Sequence, residues 1–402
     1  MKILVIADDL TGAAEIGGMV LRYGLSVEIV HTLDAPITKD VRILNTNTRS
    51  LKIEEALAHL KELFALCCRH CEEERRGNLT TEKLSLRGTT QSAFSNKWDW
   101  IYLKFDSALR GHIAAEISFY REVFQKDNVV FCPVNPTLDR YIQDDGVYRV
   151  KGKPIAETDF ARDPEFPIVE SDVLEVLGAH AWQLAAEVPV KVTKDVPYIV
   201  AAVKDEEDLN KWVSTATPFG IYAGAAAFFE ALLRHRVPAF PIHNMDTPVP
   251  KPPILYVCGS KHENSVRRVT TVDADKVVYW RHIGQEREVA RDIRQKIDTE
   301  GKVVFAVAPL VTEEAHIVRT SMAQVVAFVQ QEGHLQELLI EGGATAGAVL
   351  EALAIDRLLP VWEYGQGVIR NKVADTALTI TLKPGSYPWT EALWVFRKKG
   401  FQ

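Results

Sequence analysis

KILVIADDLTGA, residues 2–13, is the stretch on which the reading of this chain turns. Its apolar run, residues 3–7, has the composition of a strand buried on both faces of a parallel sheet. The run stops at two adjacent carboxylates, Asp8 and Asp9, followed by Thr11-Gly12 and a helical pattern over 13–23. Strand, tight turn and helix open an α/β unit, and in open α/β sheets ligands bind beyond the carboxyl ends of the strands. One aspartate at such a place can serve only as a helix cap. Two in succession favour function, because crowded like charges oppose folding unless a partner uses them.

Outward from this turn the pattern repeats. Apolar runs at 26–31, 41–45, 100–103, 128–132 and 198–203 predict further strands, and helical periodicity covers 53–75 and 113–124. Residues 77–97 are polar and read as a surface excursion, while the Gly- and Pro-punctuated stretch 140–170 reads as a hairpin or arm beside the sheet. The segment 237–253 is proline-rich and predicts a semi-rigid connection. Alternation then restarts, with strands predicted at 254–258, 277–279, 303–307, 337–340 and 378–381 and helices at 289–297, 321–331 and 345–353. The expected architecture is two α/β domains, 1–236 and 254–402. Each has a mainly parallel sheet flanked by helices, with a ligand cleft between the two.

Composition narrows the function classes. The chain has 402 residues, 47% hydrophobic and 25% charged, with a formal charge of -7. That balance is globular and argues against a general nucleic-acid binder, which needs a cationic surplus to neutralise phosphates. No apolar run approaches the ~20 residues of a membrane span, and strand-forming sequence begins too early for a signal peptide. Five cysteines are too few for a disulfide framework, so a cytoplasmic location is expected. Cys67, Cys68, His70 and Cys71 cluster on a predicted helix but lack a second ligand pair, so no metal ligands are assigned.

Two further strand ends carry chemistry. The stretch 100–111 runs into a loop bearing Lys104, Asp106, Ser107, Arg110 and Gly111, and the strand at 41–45 leads to Arg49. Lysine and arginine can hold a carboxylate or phosphate, Asp106 and Ser107 can orient hydroxyls, and Gly111 permits close approach. The set suits a small, hydroxylated, anionic ligand; an internal ion-pair network among the same residues is the alternative. In the second half, Gly259-Ser260 and Gly342-Gly343-Ala344-Thr345 each follow a strand and precede a helix. Such turns let backbone N–H groups and a helix dipole meet phosphate. Neither is a P-loop, and no G-x-G-x-x-G fingerprint supports a dinucleotide oxidoreductase.

Taken together these residues make the chain resemble the four-carbon acid sugar kinase family over almost its whole length. The resemblance rests on the stretch 7–13, on Lys104 to Gly111, and on Cys132-Pro133 through Pro136 to Arg140. It continues through Gly146 to Pro154 and Glu157 to Pro164, and includes the two glycine turns. It implies a sugar-acid domain followed by an ATP domain, with Mg2+ accompanying ATP and phosphorylation of a hydroxyl on threonate, erythronate or an oxo-tetronate. Asp8 and Asp9 would be catalytic; Arg49, Lys104, Asp106, Ser107 and Arg110 would bind the acid. Ser260, Gly342, Gly343, Thr345 and Gly385 would bind the nucleotide. Partners would be the two small molecules, with a homodimer left open.

The chain departs from the family pattern on the nucleotide side. Ala344 stands where an acidic residue is usual, and Glu341 precedes the glycines instead. The late loop reads Lys383-Pro384-Gly385-Ser386-Tyr387-Pro388, with prolines that lack N–H donors, and Lys261 to Asn264 are bulkier than usual. A non-catalytic sugar-acid sensor that has lost ATP use is therefore the alternative function.

Overall fold

The computed structural model describes residues 1–76, 97–163, 166–178, 181–188, 190, 193, 196–214, 220–238, 246–260, 263–332, 335–385, 389–394 and 396. For residues 66–76 and 332 it describes the backbone alone. The side chains of Cys67, Cys68, His70 and Cys71, the expected excursion up to residue 96, and residues 261, 262 and 386–388 thus lie outside the described residues.

Strands are numbered along the chain. The first eleven are β1 (Ile3–Ala7), β2 (Val27–Val30), β3 (Val41–Asn45), β4 (Trp100–Lys104), β5 (Val129–Cys132), β6 (Arg140–Ile142), β7 (Tyr148–Val150), β8 (Lys153–Pro154), β9 (Trp182–Ala185), β10 (Tyr198–Ala201) and β11 (Ile221–Gly224). The remainder are β12 (Ile254–Cys258), β13 (Val277–Trp280), β14 (Lys302–Val307), β15 (Glu337–Glu341), β16 (Arg357–Gly365), β17 (Val368–Val373) and β18 (Thr379–Lys383).

Two compact units result. The first contains residues 1–16, 23–26 and 31–240; the second contains 17–22, 27–30 and 241–402. A linear cut in the proline-rich segment misses the two early pieces, and packing explains why they belong with the second unit. Gly17 and Gly18 lie against Pro360, Ile369 and Glu363 so closely that a Cβ on either would collide. β2 pairs antiparallel with β16, where Arg357 reaches the fully buried Glu28 at 2.8 Å. Neither contact leaves a local sequence signal.

In the first unit seven parallel strands run in the order β3-β1-β4-β11-β5-β10-β9. β1 is buried along its whole length, which is what its unbroken apolar run requires. Its neighbours lie one on each side, and Ala7 is level with Asn45 of β3 and Lys104 of β4. This is a topological switch point, so the segments after β1, β3 and β4 emerge side by side at one sheet edge. The arm expected at 140–170 forms a separate antiparallel sheet, β6-β7-β8.

The second unit has five parallel strands, β13-β14-β12-β15-β18, extended by antiparallel β17, β16 and β2. β12 lies between β14 and β15, so Gly259 stands at this sheet's own switch point. Tyr256, Trp389, Leu393 and Phe396 pack in its core, and the Tyr256 hydroxyl donates to the Leu393 carbonyl at 2.5 Å. Among the described residues no helix is long and apolar enough to cross a membrane.

Candidate functional site

The two early aspartates share one guanidinium. Arg49 donates through Nε to Asp8 Oδ2 at 2.9 Å and through Nη2 to Asp8 Oδ1 at 2.6 Å, and the same Nη2 lies 2.8 Å from Asp9 Oδ1. Backbone bonds set this up: the Asp8 N–H donates to the Lys104 carbonyl at 3.3 Å and the Arg49 N–H to the Asp8 carbonyl at 3.1 Å. Gly111, at φ +99°, takes a backbone conformation that L side chains rarely adopt, and a Cβ there would sit a tight 3.2 Å from Asp8 Oδ2. Asp9 also accepts from the Gly12 N–H at 2.9 Å and from the Thr11 hydroxyl.

The neighbours are not equivalent. Burial pushes the Asp8 carboxyl above its ordinary range, and Arg49 only partly offsets it. Burial acts on Asp9 too, but the charges of Arg49 and Lys104 and the bonds from Thr11 and Gly12 outweigh it, holding that carboxyl below its ordinary range. The Asp8 side chain is 1% exposed and that of Asp9 15% exposed, so Asp9 is the one an incoming group can reach.

The loop after β4 completes the cluster. Lys104 is buried, donates to the Phe105 carbonyl at 2.9 Å and lies 3.6 Å from Glu15. Arg110 grips Asp106, Nε to Oδ2 at 2.7 Å and Nη2 to Oδ1 at 3.2 Å, and reaches Asp163 at 3.1 Å through Nη1. Burial opposes the Asp106 charge, yet Arg110 and Arg49 hold that carboxyl far below the usual range. Ser107 receives the Arg140 guanidinium on its hydroxyl at 2.5 Å and the Tyr148 hydroxyl on its carbonyl. The three expected cations are thus each paired with a protein carboxylate, so the ion-pair network and the cluster at the strand ends are one object.

Sequence reasoning did not single out Glu15, Glu116, Phe160 or Asp163. Glu116, in the helix Ile113–Val123, is 1% exposed, and among the described residues its Oε1 has no hydrogen-bond partner. Burial, then the nearby Asp8 charge, push its carboxyl up to about 8. A lone glutamate on an otherwise apolar helix face was the available signal. Asp163 lay within a motif already noted, but its contact with Arg110 spans 53 residues.

On the second unit the nucleotide-side residues also converge. Cys258 of β12 and Lys383 of β18 each sit opposite Glu341 of β15. A Cβ on Gly259 would collide with the Thr345 hydroxyl, and one on Gly385 would stand 3.6 Å from Ser260 Oγ. Ser260, Gly342, Gly343, Thr345 and Gly385 therefore share one sheet edge. Gly342, at φ +97°, is the N-cap of the helix Gly343–Ala352, whose first N–H groups have no intrahelical acceptor. Glu341 is consumed beneath the turn: it accepts from Trp389 Nε1 at 2.8 Å and from the Ser265 hydroxyl, with Lys383 Nζ at 3.5 Å. Among the described residues no group of three or more His, Cys, Asp or Glu side chains is arranged to hold a metal ion.

Comparison with known proteins fits this arrangement. Residues 3–232 match the family model of a sugar-binding N-terminal domain. The chain is 26% identical over 341 residues to a D-threonate kinase of Salmonella typhimurium, covering 80% of this chain and 72% of that one. It is 24% identical over 421 residues to a D-erythronate kinase of Heliobacterium modesticaldum, covering 91% and 90%. A crystal structure from Salmonella typhimurium LT2 superposes with a TM-score of 0.72 at 17% identity over 96% of both chains, a likeness of fold. The matched segment carries the whole Asp8, Arg49 and Arg110 cluster, and the chain belongs to the four-carbon acid sugar kinase family.

Proposed function

We propose that this protein is an ATP-dependent kinase that phosphorylates a hydroxyl of a four-carbon sugar acid of the threonate, erythronate or oxo-tetronate class. The observation that carries the reading is the convergence of Asp8, Asp9, Arg49, Asp106 and Arg110 on one strand edge. Phosphoryl transfer needs positioning and charge control more than covalent chemistry. Asp9 is the group that accepts the proton of the attacking hydroxyl: it stays ionised, it is held rigidly by Arg49, Thr11 and Gly12, and it is the more accessible aspartate. Asp8 braces Arg49 from behind. Asp106 and Ser107 orient the remaining hydroxyls.

The residues on the second unit fit a triphosphate. Gly342 exposes the N–H groups that open the following helix, and Gly259, Ser260 and Gly385 place no bulk beside them. Mg2+ arriving with ATP would supply charge neutralisation on the phosphates. Lys383 donates to the Pro384 carbonyl at 2.8 Å and fixes the start of the last loop.

The test is direct. Purified protein incubated with Mg·ATP and a panel of four-carbon acids should release ADP and yield a phosphomonoester by 31P NMR with at least one acid. No product with any acid overturns the kinase reading. The sensor alternative draws on Pro384, which lacks an N–H in the loop expected to cradle phosphate; it requires that acids, but not Mg·ATP, raise the melting temperature.

A further inference from the structure

A sugar acid brings a carboxylate that must meet a cation whose charge is still available. Arg49 is committed to Asp8 and Asp9, Lys104 lies beside Glu15, and Arg110 is held by Asp106 and Asp163. Arg140 differs. Its Nη1 donates to the neutral Ser107 hydroxyl at 2.5 Å, and among the described residues its buried Nε has no partner and no carboxylate pairs with it. An arginine with a buried, unanswered N–H beside a cluster of filled ion pairs is a guanidinium built for an acceptor the protein does not supply.

Its mounting is rigid. Arg140 opens β6, its backbone bonded both ways to Asn135 at 2.9 and 3.1 Å, and β6 is paired to β7 with Arg140 opposite Val150. Its guanidinium lies 5.0 Å from the centroid of the Phe160 ring, which Arg110 approaches at 5.9 Å. Tyr148, on the next strand, fixes Ser107 from the other side by donating to its carbonyl. The small antiparallel sheet thus delivers one extra cation to the cluster built by the large sheet, and Phe160 gives it a cation–π neighbour.

We propose that Arg140 is the residue that receives the substrate's carboxylate and so selects acids over neutral polyols, an assignment that rests on the sugar-acid reading above. A planar guanidinium whose Nε–H has no partner among the described residues can offer a carboxylate a charge-assisted bond.

Isothermal titration of threonate and erythronate, and of their neutral amides, against the wild type, Arg140→Gln and Arg140→Lys tests this without ATP. Melting curves and amide affinity check that each variant is folded. The expected result is that the wild type prefers acid to amide and that Arg140→Gln loses acid affinity by about 100-fold while amide affinity stays unchanged. Arg140→Lys, which keeps the charge but not the fork, should fall between. Equal loss for acid and amide, or an acid affinity unchanged in Arg140→Gln, overturns the assignment even if the wild type phosphorylates acids. A wild type that binds acid without phosphorylating it overturns the kinase reading and leaves the acid-to-amide comparison to decide Arg140. A wild type that binds neither acid overturns both.

Discussion

Arg49 and Asp8 meet fork to fork, with N···O distances of 2.9 and 2.6 Å, and the terminal nitrogen Nη2 of that fork also stands 2.8 Å from Asp9. One guanidinium thereby satisfies a carboxylate with no access to solvent and positions a second that has some. The turn Asp8-Asp9 is tolerated by the fold because a residue from the neighbouring strand end cancels its repulsion.

Removing Arg49 should therefore damage both stability and catalysis. Arg49→Ala leaves Asp8 buried without its partner, a loss of about 3 kcal/mol for an orphaned buried charge. Guanidinium unfolding at pH 7 should show a lowered midpoint at an unchanged slope. Arg49→Lys should recover part of the stability and little of the turnover, since a point charge cannot hold two carboxylates at fixed angles.

Asp9→Asn separates chemistry from folding. The amide keeps the oxygen that accepts from Thr11 or Gly12 but cannot take a proton, so turnover should drop by about 100-fold or more with a near-unchanged melting temperature. Acid affinity by calorimetry should remain within a few-fold of wild type. Full turnover in this variant would remove Asp9 from the reaction.

Gly259→Ala probes the nucleotide side in isolation. The added methyl would strike the Thr345 hydroxyl and push the two glycine turns apart. Steady-state kinetics should show KM for ATP raised by about tenfold or more and KM for the acid unchanged. A rise in the acid's KM instead would reassign these turns.

How much of this was legible beforehand follows from the range of each interaction. β1, β4 and β12 are apolar runs, β3 is interrupted only by Arg42 and β15 is opened by Glu337; all five end in chemically marked turns, and local pattern suffices for them. β9 and β11 passed unread: Trp-Gln-Leu-Ala and Ile-Tyr-Ala-Gly are four residues each, too short for a period to stand out. The antiparallel pair β16 and β17 was also unread, because most positions along β16 are half-buried and its pairing with β17 is interrupted by register shifts. At the site, the cations after β3 and β4 could be named from spacing, but their pairing could not. Arg110 meets Asp163 across 53 residues, beyond the last strand of the small sheet, and Arg140 meets Ser107 across 33 residues. Which charges are cancelled and which remain is a property of the folded chain alone.

Glu116 gives the pH dependence its sign. Its carboxyl titrates near 8 in the folded protein, because burial and then the Asp8 charge oppose ionisation, whereas an exposed glutamate titrates near 4.5. Between those values the folded state holds a proton that the unfolded state has lost, so stability falls as pH rises. The contribution is fully present below about pH 4.5 and is lost through about pH 8, with an upper bound of about 4 kcal/mol between pH 5 and 8. Asp9 and Asp106, whose carboxyls are held low, act in the opposite sense and only in stronger acid. Glu116→Gln has the same shape and no proton to lose. Unfolding midpoints of both proteins at pH 5, 6, 7 and 8 should converge at the acid end and separate in favour of the glutamine variant towards pH 8. A gap that stays constant across the series would mean that Glu116 is already ionised in the folded protein, and that its burial behind Asp8 is compensated by a partner other than a proton.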